Sequence, residues 1–140
     1  MDTGLTLSSA SLTTAGTLLL TVVAIESGGF FLLRIVQGKR PATGFQRAFF
    51  RAGHAHAGVL VTLGLVCQVF VDATTLSGPL ASVARSGVPL AAILMSAGFF
   101  LAAMGRQATA PNRLIVLVYA GAVSLAAGVL TLGIGLLVRG

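Results

Sequence analysis

Four apolar runs, Leu12 to Val36, Gly53 to Val71, Val88 to Met104 and Leu114 to Val138, alternate with short polar connectors along the 140-residue chain. The hydrocarbon layer of a bilayer takes about 20 residues of helix, and each run approaches that length, the third only just. The runs show no two-residue alternation. Backbone groups in hydrocarbon must be satisfied within their own segment, so the pattern predicts helices rather than barrel strands. The connectors "QGKRPATGFQRAFFR", "DATTLSGPLASVARSG" and "GRQATAPNR" are rich in Gly, Pro, Ser and Thr, which marks helix ends. The expectation is an all-α integral membrane protein: a single domain over residues 1–140, built as a four-transmembrane-helix bundle. Within the first connector, "TGFQRAFFR" is expected to lie along the membrane surface as a short amphipathic approach to the second helix.

Composition supports this. Hydrophobic residues make up 56% and charged residues 9% of the chain, where soluble domains carry about 25% charged residues. The net charge of +6 comes from basic residues that flank the apolar runs. That placement suits anionic headgroups and argues against nucleic acid as the partner. Arg34, Lys39, Arg40, Arg47 and Arg51 surround the first loop and Arg106 and Arg113 the third, against only Arg85 and Arg139 on the other side. By this asymmetry the first and third loops are cytoplasmic and both termini lie outside. The opening "MDTGLTLSSASLTT" lacks a basic segment before the first run, so that run reads as a retained helix. There is no Trp, which leaves Phe, Tyr119 and arginine to mark the membrane boundary. The single cysteine, Cys67, has no intramolecular partner and reads as packing.

Gly121, Gly128 and Gly135 recur every seven residues in the last run, with Ser124 and Thr131 between them. Small residues on one face let another helix approach closely. Four short helices expose much surface, so a homo-oligomer is expected.

Polar groups inside the spans carry the candidate chemistry, because an ionisable side chain in hydrocarbon is costly and is usually kept for function. Glu26 lies about 12 Å deeper than Arg34 at 1.5 Å rise per residue, His56 about 7 to 8 Å inward of Arg51, and Tyr119 about 9 Å inward of Arg113. All three therefore occupy one layer of the membrane, where they are expected to converge on a shared enclosed chamber. His54 and His56, two apart on a helix, differ by about 200° around its axis, so one is expected to face the bundle and the other away. His56, the deeper, is the candidate working residue, with His54 as the second cofactor-binding candidate, in a supporting position or at the surface. A neutral imidazole there could ligate haem iron or another metal, or shuttle protons with Glu26. A metal site of four protein ligands has no matching Cys, His or Glu spacing. Asp72, at the opposite membrane face, reads as a solvated helix end.

"AHAGVLVT", from Ala55, resembles the second-helix segment of the small membrane isomerases typified by styrene oxide isomerase and hydroxylaminobenzene mutase. "GFFL" at Gly98 to Leu101 and "PNR" at Pro111 to Arg113 resemble the end of the third helix and the next connector in the same family. The resemblance implies a homotrimer of four-helix protomers that binds haem b. It places the axial ligand at His56, with ferric iron acting as a Lewis acid toward a small hydrophobic substrate such as an epoxide. The family's asparagine six positions after that histidine falls on Thr62, and its tyrosine in the "GFFL" patch falls on Phe100. Glu26, Thr62 and Tyr119 are then the candidate catalytic residues, Tyr119 standing in for the missing tyrosine. Two other readings stay open. Glu26 could be the coupling carboxylate of a proton-coupled small-molecule transporter. Alternatively, the chain could be an accessory subunit of a larger membrane complex, with the glycine stripe as its docking surface.

Overall fold

The computed structural model describes residues 6–139, so the first five residues of the opening stretch fall outside the description. Four helices follow in order: α1 (Ser9–Val36), α2 (Gly44–Asp72), α3 (Gly78–Ala102) and α4 (Val116–Arg139), the last preceded by a short 3-10 turn at Arg113–Ile115. Each is long and apolar enough to cross a membrane.

Two helices start earlier than hydropathy suggests. α2 begins at Gly44, so "TGFQRAFFR" is the cap and first two turns of the same long apolar helix and not a separate segment. The cause is a capping box. The Thr43 side chain accepts from Gln46 N–H at 3.1 Å, and Gln46 Oε1 accepts from Thr43 N–H at 3.1 Å, which satisfies two of the orphan donors at the helix start. α3 begins at Gly78, whose φ of +56° turns the chain just before Pro79 opens the helix.

The helices form a row rather than a closed bundle. α2 packs against α1 and α3, and α3 packs against α2 and α4, while α1 and α4 share no packed interface. The four long apolar helices are those expected, and the bundle they make is open between α1 and α4. Short loops force sequence neighbours to lie side by side, but α1 and α4 would need a small-residue seam of their own. The one on α4 is already filled by α3. A Cβ added at Gly87 would lie 2.6 Å from the Cα of Gly128, and one at Gly121 would lie 2.9 Å from Met95 N. Gly135 receives Leu76, and Ser124 Oγ donates to the Gly87 carbonyl at 2.9 Å. The glycine stripe is thus an internal seam and not a docking surface for another chain.

The core between α2, α3 and α4 is built from small and medium side chains, among them Leu60, Cys67, Val71, Ala84, Val88, Ala91 and Leu132. Cys67 is buried there, in keeping with its packing role. Within this core Pro89 sits inside α3. Proline has no N–H, so the Arg85 carbonyl four residues earlier loses its helical partner. Gln68 of α2 supplies a replacement, its Nε2 donating to Arg85 O and to Gly64 O, each at 3.0 Å. Gln68 is fully buried. Gln68→Leu should therefore destabilise the fold by about 1 to 3 kcal/mol, the cost of an unsatisfied buried acceptor. In a Pro89→Ala background, where the helical bond returns, the same change should be close to neutral. A double-mutant cycle of unfolding free energies measures this, and additive effects would refute the link.

A second polar cluster ties three helices together at the α2–α3 loop end. Asp72 accepts from Ser8 N–H at 2.7 Å and Ser8 Oγ at 3.1 Å, and pairs with Arg85 at 3.3 Å. Arg85 also donates to Ser11 Oγ, which donates on to the Gln68 carbonyl at 3.3 Å. The Asp72 side chain is only 8% exposed and that of Arg85 17%. Asp72 is consequently not a solvated helix end, and Arg85 is not a free loop cation. Ser8 caps α1 through its contact with Ser11 N–H at 3.2 Å, so the same serine starts one helix and anchors it to the end of another.

Candidate functional site

The structure separates the two histidines by helix face, as their spacing requires, but neither turns away from the protein. α2 has neighbours on two flanks, and each imidazole meets one of them. His54 lies over the small surface of α1: a Cβ built on Gly28 would lie 3.3 Å from His54 Nδ1, and one on Gly29 would lie 3.5 Å from its Cε1. His56 lies against α3, its ring 4.9 Å from that of Phe99. The expectation that one histidine faces outward is thereby corrected. It assumed a single buried stripe, whereas a central helix in a row buries two.

His56 Nδ1 sits 2.8 Å from the Ala52 carbonyl one turn back. A carbonyl only accepts, so Nδ1 is the donor in this contact, and in a neutral imidazole the lone pair is then on Nε2. This is the arrangement in which an imidazole is oriented and held ready as a ligand or base. No hydrogen bond reaches His56 Nε2, or either nitrogen of His54, among the described residues.

The depth relationship expected from spacing is kept. Gly29 of α1 meets His54, His56 of α2 meets Phe99, and Gly98 of α3 lies so close to α4 that its Cβ would be 2.7 Å from Val118 N. Glu26, His56 and Tyr119 thus sit near one level along the helices. The enclosure is not formed. Glu26 is exposed on α1, Tyr119 is 65% exposed on α4, and Thr62 is exposed on α2 with its hydroxyl donating to the Gly58 carbonyl at 2.9 Å. The expected shared chamber within one protomer is corrected, because α1 and α4 stand at opposite ends of the row.

Two cavities open along the groove between α1 and α3, with α2 as its floor. One, of about 310 Å3, is lined by Thr13, Thr17, Thr21, Ile25, Val61 and Pro89 among others. The larger, of about 620 Å3, lies at the end bearing the α1–α2 and α3–α4 loops, beneath Arg40 and Arg106. Neither is lined by Glu26, His54, His56, Thr62 or Tyr119. Phe100, at the position where a tyrosine was expected, forms part of the larger cavity and stacks on Phe50 at 5.5 Å.

The motif "PNR" has a structural explanation. Asn112 Nδ2 donates to the Leu101 carbonyl at 2.8 Å, its N–H donates to Ala102 O at 2.9 Å, and its Oδ1 caps Leu114 N–H at 2.8 Å. One asparagine both closes α3 and starts the turn into α4.

Comparison of the chain with family models, with curated proteins and with solved structures gave no match.

Among the described residues no three His, Cys, Asp or Glu side chains gather as a metal-ligand set. A porphyrin brings four nitrogens of its own and asks the protein for one or two axial ligands. His56, with Nδ1 anchored and Nε2 without a hydrogen-bond partner among the described residues, offers one such donor, although neither cavity is lined by it. His54 lacks the anchoring carbonyl.

Proposed function

We propose that this chain is a multi-pass membrane protein that binds haem b through His56 and acts as an isomerase on a small hydrophobic substrate such as an epoxide. The observation that carries the reading is the 2.8 Å contact between His56 Nδ1 and the Ala52 carbonyl, which supports a neutral imidazole oriented with its second nitrogen available as a ligand. Ferric haem, when bound, supplies a Lewis acid for an oxygen of the substrate, so that ring opening and rearrangement need no net redox change. The protein's own part is to orient the imidazole, to exclude water and to place polar groups beside the substrate.

Those polar groups point to an oligomer. Glu26 finds no partner among the described residues, and an uncovered carboxylate deep in hydrocarbon is unfavourable. Thr62 shares an open face of α2 with Ala55 and Val59, so a second copy of the chain is the natural cover for both. In a homotrimer, or another closed ring, Glu26 or Tyr119 of one protomer could complete a site begun at His56 of its neighbour.

The test is an absorption spectrum of protein purified from haem-replete cells. A Soret band should be present, should fall at least tenfold in His56→Ala, and should persist in His54→Ala. A colourless wild-type preparation, or loss in the His54 variant instead, would overturn the assignment.

A further inference from the structure

Six of the eight phenylalanines gather at the end of the molecule that carries the α1–α2 and α3–α4 loops. Three of them, Phe31, Phe50 and Phe100, contact one another at centroid distances of 5.2, 5.5 and 6.3 Å and line the larger cavity. Its volume of about 620 Å3 falls within the range of small-molecule sites, roughly 300 to 1,000 Å3. Along α1 the lining runs from Ile35 down to Gly28, seven residues or about 10 Å of depth.

The mouth has the opposite character. Arg40 and Arg106 stand there, Arg40 with its guanidinium 4.9 Å above the Phe31 ring. Neither has an acidic partner among the described residues, whose single ion pair is Arg85 with Asp72 at the far end. Two uncompensated cations over an aromatic well suit an oxyanion attached to an apolar chain.

The walls are held in place before any ligand arrives. Gln46 Nε2 donates to Ala103 O at 3.0 Å and to Gly105 O at 2.9 Å, and Thr43 Oγ1 donates to Ala108 O. The loop across the mouth includes Gln107, the one non-glycine described residue with positive φ, at +57°. Such a backbone is disfavoured for a side-chain-bearing residue, and Gln107 lines the cavity.

We propose that this cavity binds an anionic amphiphile, with its carboxylate or phosphate head between Arg40 and Arg106 and its chain lying on Phe31, Phe50 and Phe100. The site is separate from His56 and does not depend on haem.

The protein contains no tryptophan, and Met104 lines the cavity while being 62% exposed. Met104→Trp therefore places a single fluorophore at the mouth without disturbing the core. The variant is reconstituted in phosphatidylcholine nanodiscs with one of three brominated quenchers: phosphatidylcholine, phosphatidylglycerol or stearate. An anionic quencher should reach half-maximal quenching at about tenfold lower mole fraction than brominated phosphatidylcholine, the size of effect expected for one or two charge-assisted contacts. Arg40→Gln and Arg106→Gln should each remove most of that preference, and Arg113→Gln, outside the cavity, should not. Preference for stearate alone identifies a free carboxylate amphiphile as the ligand. Preference that includes phosphatidylglycerol identifies a bilayer lipid. Equal quenching by all three, or a preference untouched by both arginine changes, overturns the proposal. Native mass spectrometry of the unsubstituted chain against its Arg40→Gln, Arg106→Gln double variant, with the same lipids unbrominated, provides a second reading that needs no tryptophan.

Discussion

Gly87→Ala should destabilise the protein by about 3 kcal/mol or more, at the upper end for overpacking of a filled core. The added carbon would lie 2.6 Å from Gly128 Cα and 2.9 Å from both Gly128 N and Ser124 O. All three are backbone atoms, which cannot rotate out of the way, so α3 and α4 must move apart along their whole seam. That separation also strains the Ser124 hydrogen bond to the Gly87 carbonyl and loosens Met95 against Gly121. The comparison that isolates the cause is Gly133→Ala. Gly133 lies on the partner helix of that seam, α4, with nothing within 4 Å of its would-be Cβ, and should be neutral or slightly stabilising through helix propensity. Unfolding in mixed micelles of mild detergent and dodecyl sulfate measures both. Equal effects at the two positions would mean that the seam is not tightly closed.

Removing the carboxylate in Asp72→Ala should cost about 3 kcal/mol, because it leaves the Arg85 guanidinium largely buried without its counterion. The loss extends beyond the pair. Ser8 N–H and Oγ both donate to Asp72, so the start of α1 is released from the end of α2. Replacing both charges, with Asp72→Leu and Arg85→Met, should recover most of the stability, since a buried ion pair often contributes little over an apolar pair of similar volume. An Asp72→Ala cost below about 1 kcal/mol would instead put the pair in the class of exposed surface bridges. Proteolysis near Ser8 offers an independent check, and should quicken in the single variant more than in the double.

Much of this architecture was legible in the residues. The number of helices and their approximate places follow from hydropathy, since burying apolar side chains and satisfying backbone groups are local demands. Thr43 and Gln46 carried a visible signal that hydropathy passed over: a capping-box spacing that starts α2 inside a charged segment. Pro89, four residues after Arg85, likewise announced an orphaned carbonyl in α3, though not that Gln68 would answer it. The seven-residue glycine repeat foretold a close helix approach. It could not say with which helix, because a small face is equally open to a neighbour in the same chain or another.

The candidate site was legible only as a layer. Rise per residue fixes depth, so Glu26, His56 and Tyr119 could be set near one level, and the contacts between successive helices keep them there. Azimuth is another matter. Whether two side chains at one depth meet depends on which helices are neighbours, and that was decided by pairwise packing of α1 on α2, α2 on α3 and α3 on α4. The same packing gathered Arg40, Arg106 and three phenylalanines from three helices and two loops around one cavity. No local pattern marks that grouping.

The chain by itself therefore determined its elements, their spacing and the level of each polar group along its helix, all of which follow from covalent geometry and from the cost of leaving backbone groups unsatisfied. Only the tertiary structure decided that the helices stand in a row, that both histidines have a neighbour and that Asp72 is held by Arg85. Those outcomes rest on close contact between segments far apart in sequence, where a few tenths of an ångström at a glycine decide which faces can meet.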